Sequence, residues 1–123
     1  MSWMKKKKRI NRDSDEWYYI KSREDLVIEY KQVVCRDGFR MSVQAGVTMY
    51  SMPRKNNAMR YKEVEVGYPS SKESLILEYA ENPKAPTDTV YAYVPAEIVT
   101  LVIAKHGGLV SGDVPPGVIV LPA

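Results

Sequence analysis

The stretch VVCRDGFRMSVQA, residues 33–45, decides how the rest of the chain is read. Val33 and Val34 are β-branched and favour an extended backbone. Cys35 follows them and reads as a buried strand residue. Arg36-Asp37-Gly38 comes next, and Asp-Gly supplies the positive φ angles that a tight primed turn needs. Beyond the turn, Phe39, Met41, Val43 and Ala45 alternate with Arg40, Ser42 and Gln44. That period of two describes a strand with one buried and one polar face. Strand, turn and amphipathic strand together predict an antiparallel hairpin at the centre of a sheet.

Working downstream, Gly46 breaks the strand or starts a bulge, and VTMYSM continues it until Pro53. PRKNNAMR (53–60) is a polar loop in which Asn56 and Asn57 tolerate left-handed geometry. In YKEVEVGYP (61–69), Val64, Val66 and Tyr68 alternate with Glu63, Glu65 and Gly67, which predicts another strand. Ser70 with Glu73 three residues on has capping-box spacing, and Leu75, Ile76, Tyr79 and Ala80 supply the apolar face of a helix. Asn82-Pro83 stops it. TVYAYV (89–94) sets Val90, Ala92 and Val94 against Thr89, Tyr91 and Tyr93, a strand with two tyrosines on its polar face. Pro95 opens a second helix, Glu97 complements its positive end, and Gly107-Gly108 terminate it just after Lys105 and His106. The tail carries one short strand, Val118 to Leu121.

Upstream, Trp17, Tyr18, Tyr19 and Ile20 are strand-like. A turn at 22–25 leads into an extended segment from about Leu26 to Cys35. The expected fold class is α+β: an antiparallel sheet of about five strands with two short helices packed on one face. Residues 1–13 are expected to form a basic, flexible N-terminal arm, and residues 14–123 a single domain.

Charge sharpens that division. The first twelve residues carry Lys5, Lys6, Lys7, Lys8, Arg9 and Arg12 and no acid. The chain holds 18 basic and 15 acidic side chains; removing those six leaves 12 against 15. The net charge of +3 therefore describes a basic arm on a mildly acidic body. A domain-wide positive field, the usual argument for nucleic-acid binding, is not present. The arm reads as a contact for nucleic-acid phosphates or as a solubilising terminus. No run approaches the ~20 apolar residues of a membrane span, and no apolar stretch follows the basic head as in a secretory signal. A single cysteine excludes an internal disulfide and suits a reducing compartment.

Catalytic patterns are absent from the sequence. There is no phosphate-binding glycine loop, no Gly-x-Ser-x-Gly elbow and no His-Glu-x-x-His. Cys35 and His106 are the only residues of their kinds, with no glycine-rich elbow at the cysteine. Glu63 and Glu65 share a strand face, where two acids can hold a cation or simply face solvent. The expectation is a non-enzyme with no cofactor and no metal. Binding has more support. Arg40 and Gln44 lie on one polar strand face, Tyr50 and Arg54 follow, and Tyr91 and Tyr93 lie on another polar face. If those strands are neighbours, arginine offers a fork for phosphate or carboxylate and tyrosine a stacking face. The same tyrosines also suit a sheet covered by helices, with their hydroxyls satisfied locally. Nine tyrosines against one phenylalanine fit half-wet surfaces of either kind.

The block DGFRMSVQA…YSMPR, YKEVEVGYPS, EYAENPKAPTDTVYAYVP and IAKHGG resembles small proteins of unassigned function encoded by tailed phages and prophages. The resemblance covers about residues 36–108 and not the basic arm. It implies a cytoplasmic setting in an infected or lysogenic bacterial host, and no catalytic residue comes with it. It further implies an accessory protein acting by stoichiometric binding: an inhibitor of a host defence factor, or a sequestering protein for a phosphate-bearing, nucleotide-like ligand. The alternative is a structural or nucleic-acid-associated phage component using its basic arm. A small sheet with one apolar edge and many tyrosines is also expected to form homo-oligomers.

Overall fold

The computed structural model describes residues 8–9 and 26–123. In chain order the strands are β1 (Lys8–Arg9), β2 (Leu26–Val27), β3 (Val33–Cys35), β4 (Arg40–Gln44), β5 (Glu63–Gly67), β6 (Val90–Pro95) and β7 (Leu109–Ser111). One helix, α1 (Ala96–Lys105), lies between β6 and β7, and a 3-10 turn occupies Leu77–Tyr79. β1 and β2 form a parallel two-stranded ribbon. The other five strands form an antiparallel sheet in the order β6-β5-β4-β3-β7. The arrangement is α+β.

The hairpin is where the sequence places it, with a different turn. Among residues 36–38 only Gly38 has positive φ (+94°). Gly38 N–H donates to the Cys35 carbonyl at 2.9 Å, and Cys35 N–H donates to that of Phe39 at 2.8 Å. This is a three-residue loop ending in a left-handed glycine, not a two-residue primed turn. Asp37 Oδ1 accepts from Phe39 N–H at 2.9 Å, so the aspartate side chain closes the loop.

Register builds the core. Val33 faces Met41, Val43 faces Val66, Val66 faces Tyr91 and Val64 faces Val94. All seven of these side chains are fully buried. α1 adds Ala96, Val99, Val102 and Ile103 to the same cluster. Each fully buried aliphatic side chain contributes about 1.5–3 kcal/mol relative to exposure. The opposite face carries Ser42, Gln44, Glu63 and Glu65, and the 28–31 segment is tied to it through Gln44. Tyr30 N–H donates to Gln44 Oε1 at 2.9 Å, and Gln44 Nε2 donates to the Tyr30 carbonyl at 2.8 Å.

Four expectations are corrected. The helix after Ser70 does not form; only the turn Leu77–Tyr79 is helical. Both capping-box groups have tertiary partners instead. Ser70 Oγ accepts from Arg40 N–H at 2.9 Å, and Glu73 turns to Leu75, Lys105 and His106. One helix therefore packs on the sheet, not two. VTMYSM is not a strand, because Gly46 N–H is taken by Ser51 Oγ and Val47 N–H by Asn56 Oδ1. Only Met52 pairs, with Glu63. The tail strand is β7, not Val118 to Leu121; the later residues return so that Leu109 pairs with Pro122. The extended segment from Leu26 to Cys35 divides into β2 and β3. The strand-like residues 17–20, the turn at 22–25 and most of the basic arm lie outside the described residues.

Candidate functional site

β6 breaks its own alternation, and that break brings a tyrosine to the surface of the sheet. Tyr91 and Val94 both point into the core although they are three residues apart. A regular strand cannot do this, because side chains alternate faces. The register of β5 with β6 shifts between Val64 and Val66, leaving Ala92 and Tyr93 opposite Glu65. Tyr93 absorbs the extra residue in the left-handed region, φ +53°. A bulky residue there costs about 1 kcal/mol or more. The bulge turns the Tyr93 ring outward, where it is 37% exposed.

Tyr50 completes the feature. Its carbonyl accepts the bulge's Tyr93 N–H at 3.1 Å, and its own N–H donates to Glu65 Oε1 at 3.0 Å. The two tyrosine rings lie 5.8 Å apart and tilted by 45°, within the range of a favourable aromatic pair. Arg54 sits with its guanidinium 5.6 Å from the Tyr50 ring centre, a cation–π contact.

Of the residues singled out in the sequence, the structure brings together Tyr50, Arg54 and Tyr93. Tyr91 is fully buried and its hydroxyl donates to the Pro86 carbonyl at 2.5 Å. Gln44 is buried under the 28–31 segment. Arg40 is exposed but starts β4 while Gln44 ends it, roughly 13 Å away at strand rise. Lys8 and Arg9 form β1; Lys5, Lys6, Lys7 and Arg12 lie outside the described residues.

The loop bearing Tyr50 has its own charge. Residues 46–62 contain Arg54, Lys55, Arg60 and Lys62 and no acid. All four are exposed, and none has an ion-pair partner among the described residues. Met52 and Met59 add exposed apolar surface, 51% and 97% accessible. Behind this loop lies a groove of about 710 Å³. Met52, Pro53, Tyr61, Ala96, Gly117 and Ile119 make it mainly apolar, and Arg60, Lys62, Glu97 and Thr100 supply its polar groups.

A second polar cluster joins three separate parts of the chain. His106 Nδ1 lies 2.6 Å from Asp37 Oδ2, and its Nε2 lies 2.7 Å from Glu73 Oε1. Lys105 Nζ donates to Glu73 Oε2 at 3.1 Å, and the Leu75 N–H donates to the same oxygen at 2.8 Å. The imidazole stacks on Phe39, centroids 4.0 Å apart and 10° from parallel. Burial lowers the His106 pKa, but its bonds to Asp37 and Glu73 outweigh that and raise it. Burial raises that of Glu73, and the Leu75 N–H, His106 and Lys105 together bring it below the ordinary value. Asp37 is lowered first by the Phe39 N–H and then by His106. Both ring nitrogens are engaged by carboxylates, which leaves neither for Cys35. The cluster ties the hairpin turn to the C-terminal end of α1.

Sequence reasoning passed over the groove and this cluster. The acid-free run 46–62 was a readable sign of the first. The second joins residues 33 and 69 positions apart, beyond any local pattern. Among the described residues no helix is long and apolar enough to cross a membrane. Comparison with protein-family models, curated proteins and solved structures finds no match to this chain.

Proposed function

We propose that this chain acts by stoichiometric binding to a protein partner, an accessory protein of the inhibitory kind that its resemblance to phage proteins implies. The contact centres on Tyr50, Arg54 and Tyr93. The observation that carries this reading is Tyr93 itself: a strained backbone whose outcome is an exposed ring, not a buried one. Strain of that kind persists where the surrounding structure holds it, and it clusters at binding and active sites. Tyrosine and arginine are also the residues that dominate binding energy at protein interfaces.

The surroundings favour a protein over a phosphate-bearing ligand. Glu65 Oε1 accepts from the Tyr50 backbone N–H, so a phosphate brought to this surface meets a carboxylate. Arg54 and Lys55, with no ion-pair partner among the described residues, and the exposed Met59 suit an acidic surface with apolar side chains.

The test compares tagged wild-type protein with a Tyr50→Ala/Tyr93→Ala variant in capture from a bacterial lysate. Light scattering then measures the recovered complex. The expected result is one partner at fixed stoichiometry, lost from the variant while its thermal melt stays cooperative. Equal recovery by both proteins, or no fixed stoichiometry, refutes the reading.

A further inference from the structure

The groove behind the 46–62 loop is separate from the tyrosine surface and has a chemistry of its own. We propose that it binds a small amphipathic anion, an apolar body bearing one carboxylate or phosphate head. Its volume of about 710 Å³ lies within the range of small-molecule sites, ~300–1,000 Å³. Its lining has the composition of such sites, a mainly apolar surface with a few polar groups. Two of its apolar side chains are strongly exposed without a ligand: Met52 is 51% accessible and Ile119 70%. Covering them with an apolar body removes that surface from water, which favours binding.

The head is assigned by charge. Arg60 and Lys62 line the groove, and neither has an acidic partner among the described residues. Glu97 is the only acid in the lining, and it stands in the first turn of α1, where the helix dipole favours a negative side chain. Among the described residues the groove thus sets two cations without acidic partners against one acid that the helix N-terminus favours. Thr100 is occupied: its hydroxyl donates to the Ala96 carbonyl at 3.3 Å and accepts from Ile119 N–H at 3.2 Å. It holds the Ile119 wall against α1 and leaves head recognition to Arg60 and Lys62. The basic N-terminal arm has the wrong sign for this site.

The walls are set by the backbone. Gly117 sits at φ +105°, and a Cβ there would lie 2.3 Å from the Tyr61 carbonyl oxygen. The tail therefore lies directly on the Tyr61 backbone, and Tyr61 N–H donates to the Pro116 carbonyl at 2.8 Å. The groove is a built concavity between the tail and the start of α1.

The experiment titrates the full-length protein with decanoate, decyl phosphate, decyltrimethylammonium and inorganic phosphate, following amide NMR shifts. Decanoate, decyl phosphate or both are expected to saturate, with shifts at Thr100, Gly117 and Ile119; which of the two binds names the head. Arg60→Glu/Lys62→Glu and Ile119→Asp, all at exposed side chains, should each weaken binding at least tenfold with the fold intact. Equal binding of decyltrimethylammonium, saturation by inorganic phosphate alone, shifts elsewhere, or no saturable binding overturns the proposal. So does concentration-dependent dimerisation abolished by Ile119→Asp, which assigns the groove to a second copy. Loss of lysate capture in the Tyr50/Tyr93 variant is read separately and does not bear on this result.

Discussion

His106 shows how much one side chain can connect. Its ring bridges Asp37 in the hairpin turn and Glu73 before the 3-10 turn, and it stacks on Phe39. The sign of its pH dependence follows from the three shifts. His106 is raised from 6.5, so its contribution is complete below about that pH and is lost as pH rises through the folded value. Asp37 and Glu73 are lowered from 3.8 and 4.5, so theirs are present above those values and lost as pH falls through the folded ones. The cluster supports the fold most between about pH 4.5 and 6.5. Thermal melts of wild type and His106→Gln should differ most in that window, and the gap should shrink toward pH 9. A constant gap contradicts the ionic account. Tyr93 makes a different prediction. Glycine at φ +53° relieves the strain, about 1 kcal/mol, while the loss of the ring and the added chain entropy oppose it. Tyr93→Gly should leave the melting temperature within a few degrees of wild type yet abolish partner capture. Tyr91→Ala, two residues away but fully buried, should cost about 3–5 kcal/mol in denaturant unfolding. Alternation alone puts these two tyrosines on one face; a bulge set by pairing with β5 puts them on opposite faces.

At the level of elements, local signals held where no tertiary partner competed for them. The Gly107-Gly108 stop and the inward positions Met41, Val43, Val64 and Val66 are found as read, while Gln44 is buried and Tyr68, expected beside Val66, is 57% exposed. The Ser70–Glu73 capping box is not, because Arg40 and His106 use those side chains from across the fold. A short helix is marginal without its cap, and the buried Glu73 carboxylate is worth more in the cluster. Glu73 is 1% exposed and accepts from three groups. Glu73→Gln replaces one acceptor with a donor facing a cation, which leaves Lys105 or His106 short of a partner. Chemical denaturation should show a loss of about 1–3 kcal/mol. A smaller effect means the carboxylate does not anchor this segment. The Tyr50, Arg54 and Tyr93 cluster was half legible for a related reason. Residue types gave the candidates, while the bulge and the Gly46 turn chose which of them meet.

For the whole molecule the open question is whether the sheet ends or extends. The expectation of edge-mediated association assumed an unpaired strand. Both outer strands are partly covered. On β6, Glu81 N–H donates to the Val90 carbonyl at 3.0 Å, and Ala80 pairs with Tyr91. On β7, Leu109 N–H donates to the Leu121 carbonyl at 2.9 Å, and Ala123 N–H donates to that of Leu109 at 3.0 Å. The second cover is made by residues 121–123, and β7 already carries Val110 at 59% exposure. Removing residues 121–123 uncovers Leu109 beside that exposed valine and recreates an apolar edge that can template another chain. Light scattering should find the truncated protein self-associating at concentrations where the full chain does not, and an added charge, Val110→Lys, should suppress it. If truncation leaves the mass unchanged, the tail is not what limits the sheet. In that case the twist and short length of β7, three residues, are enough to end it.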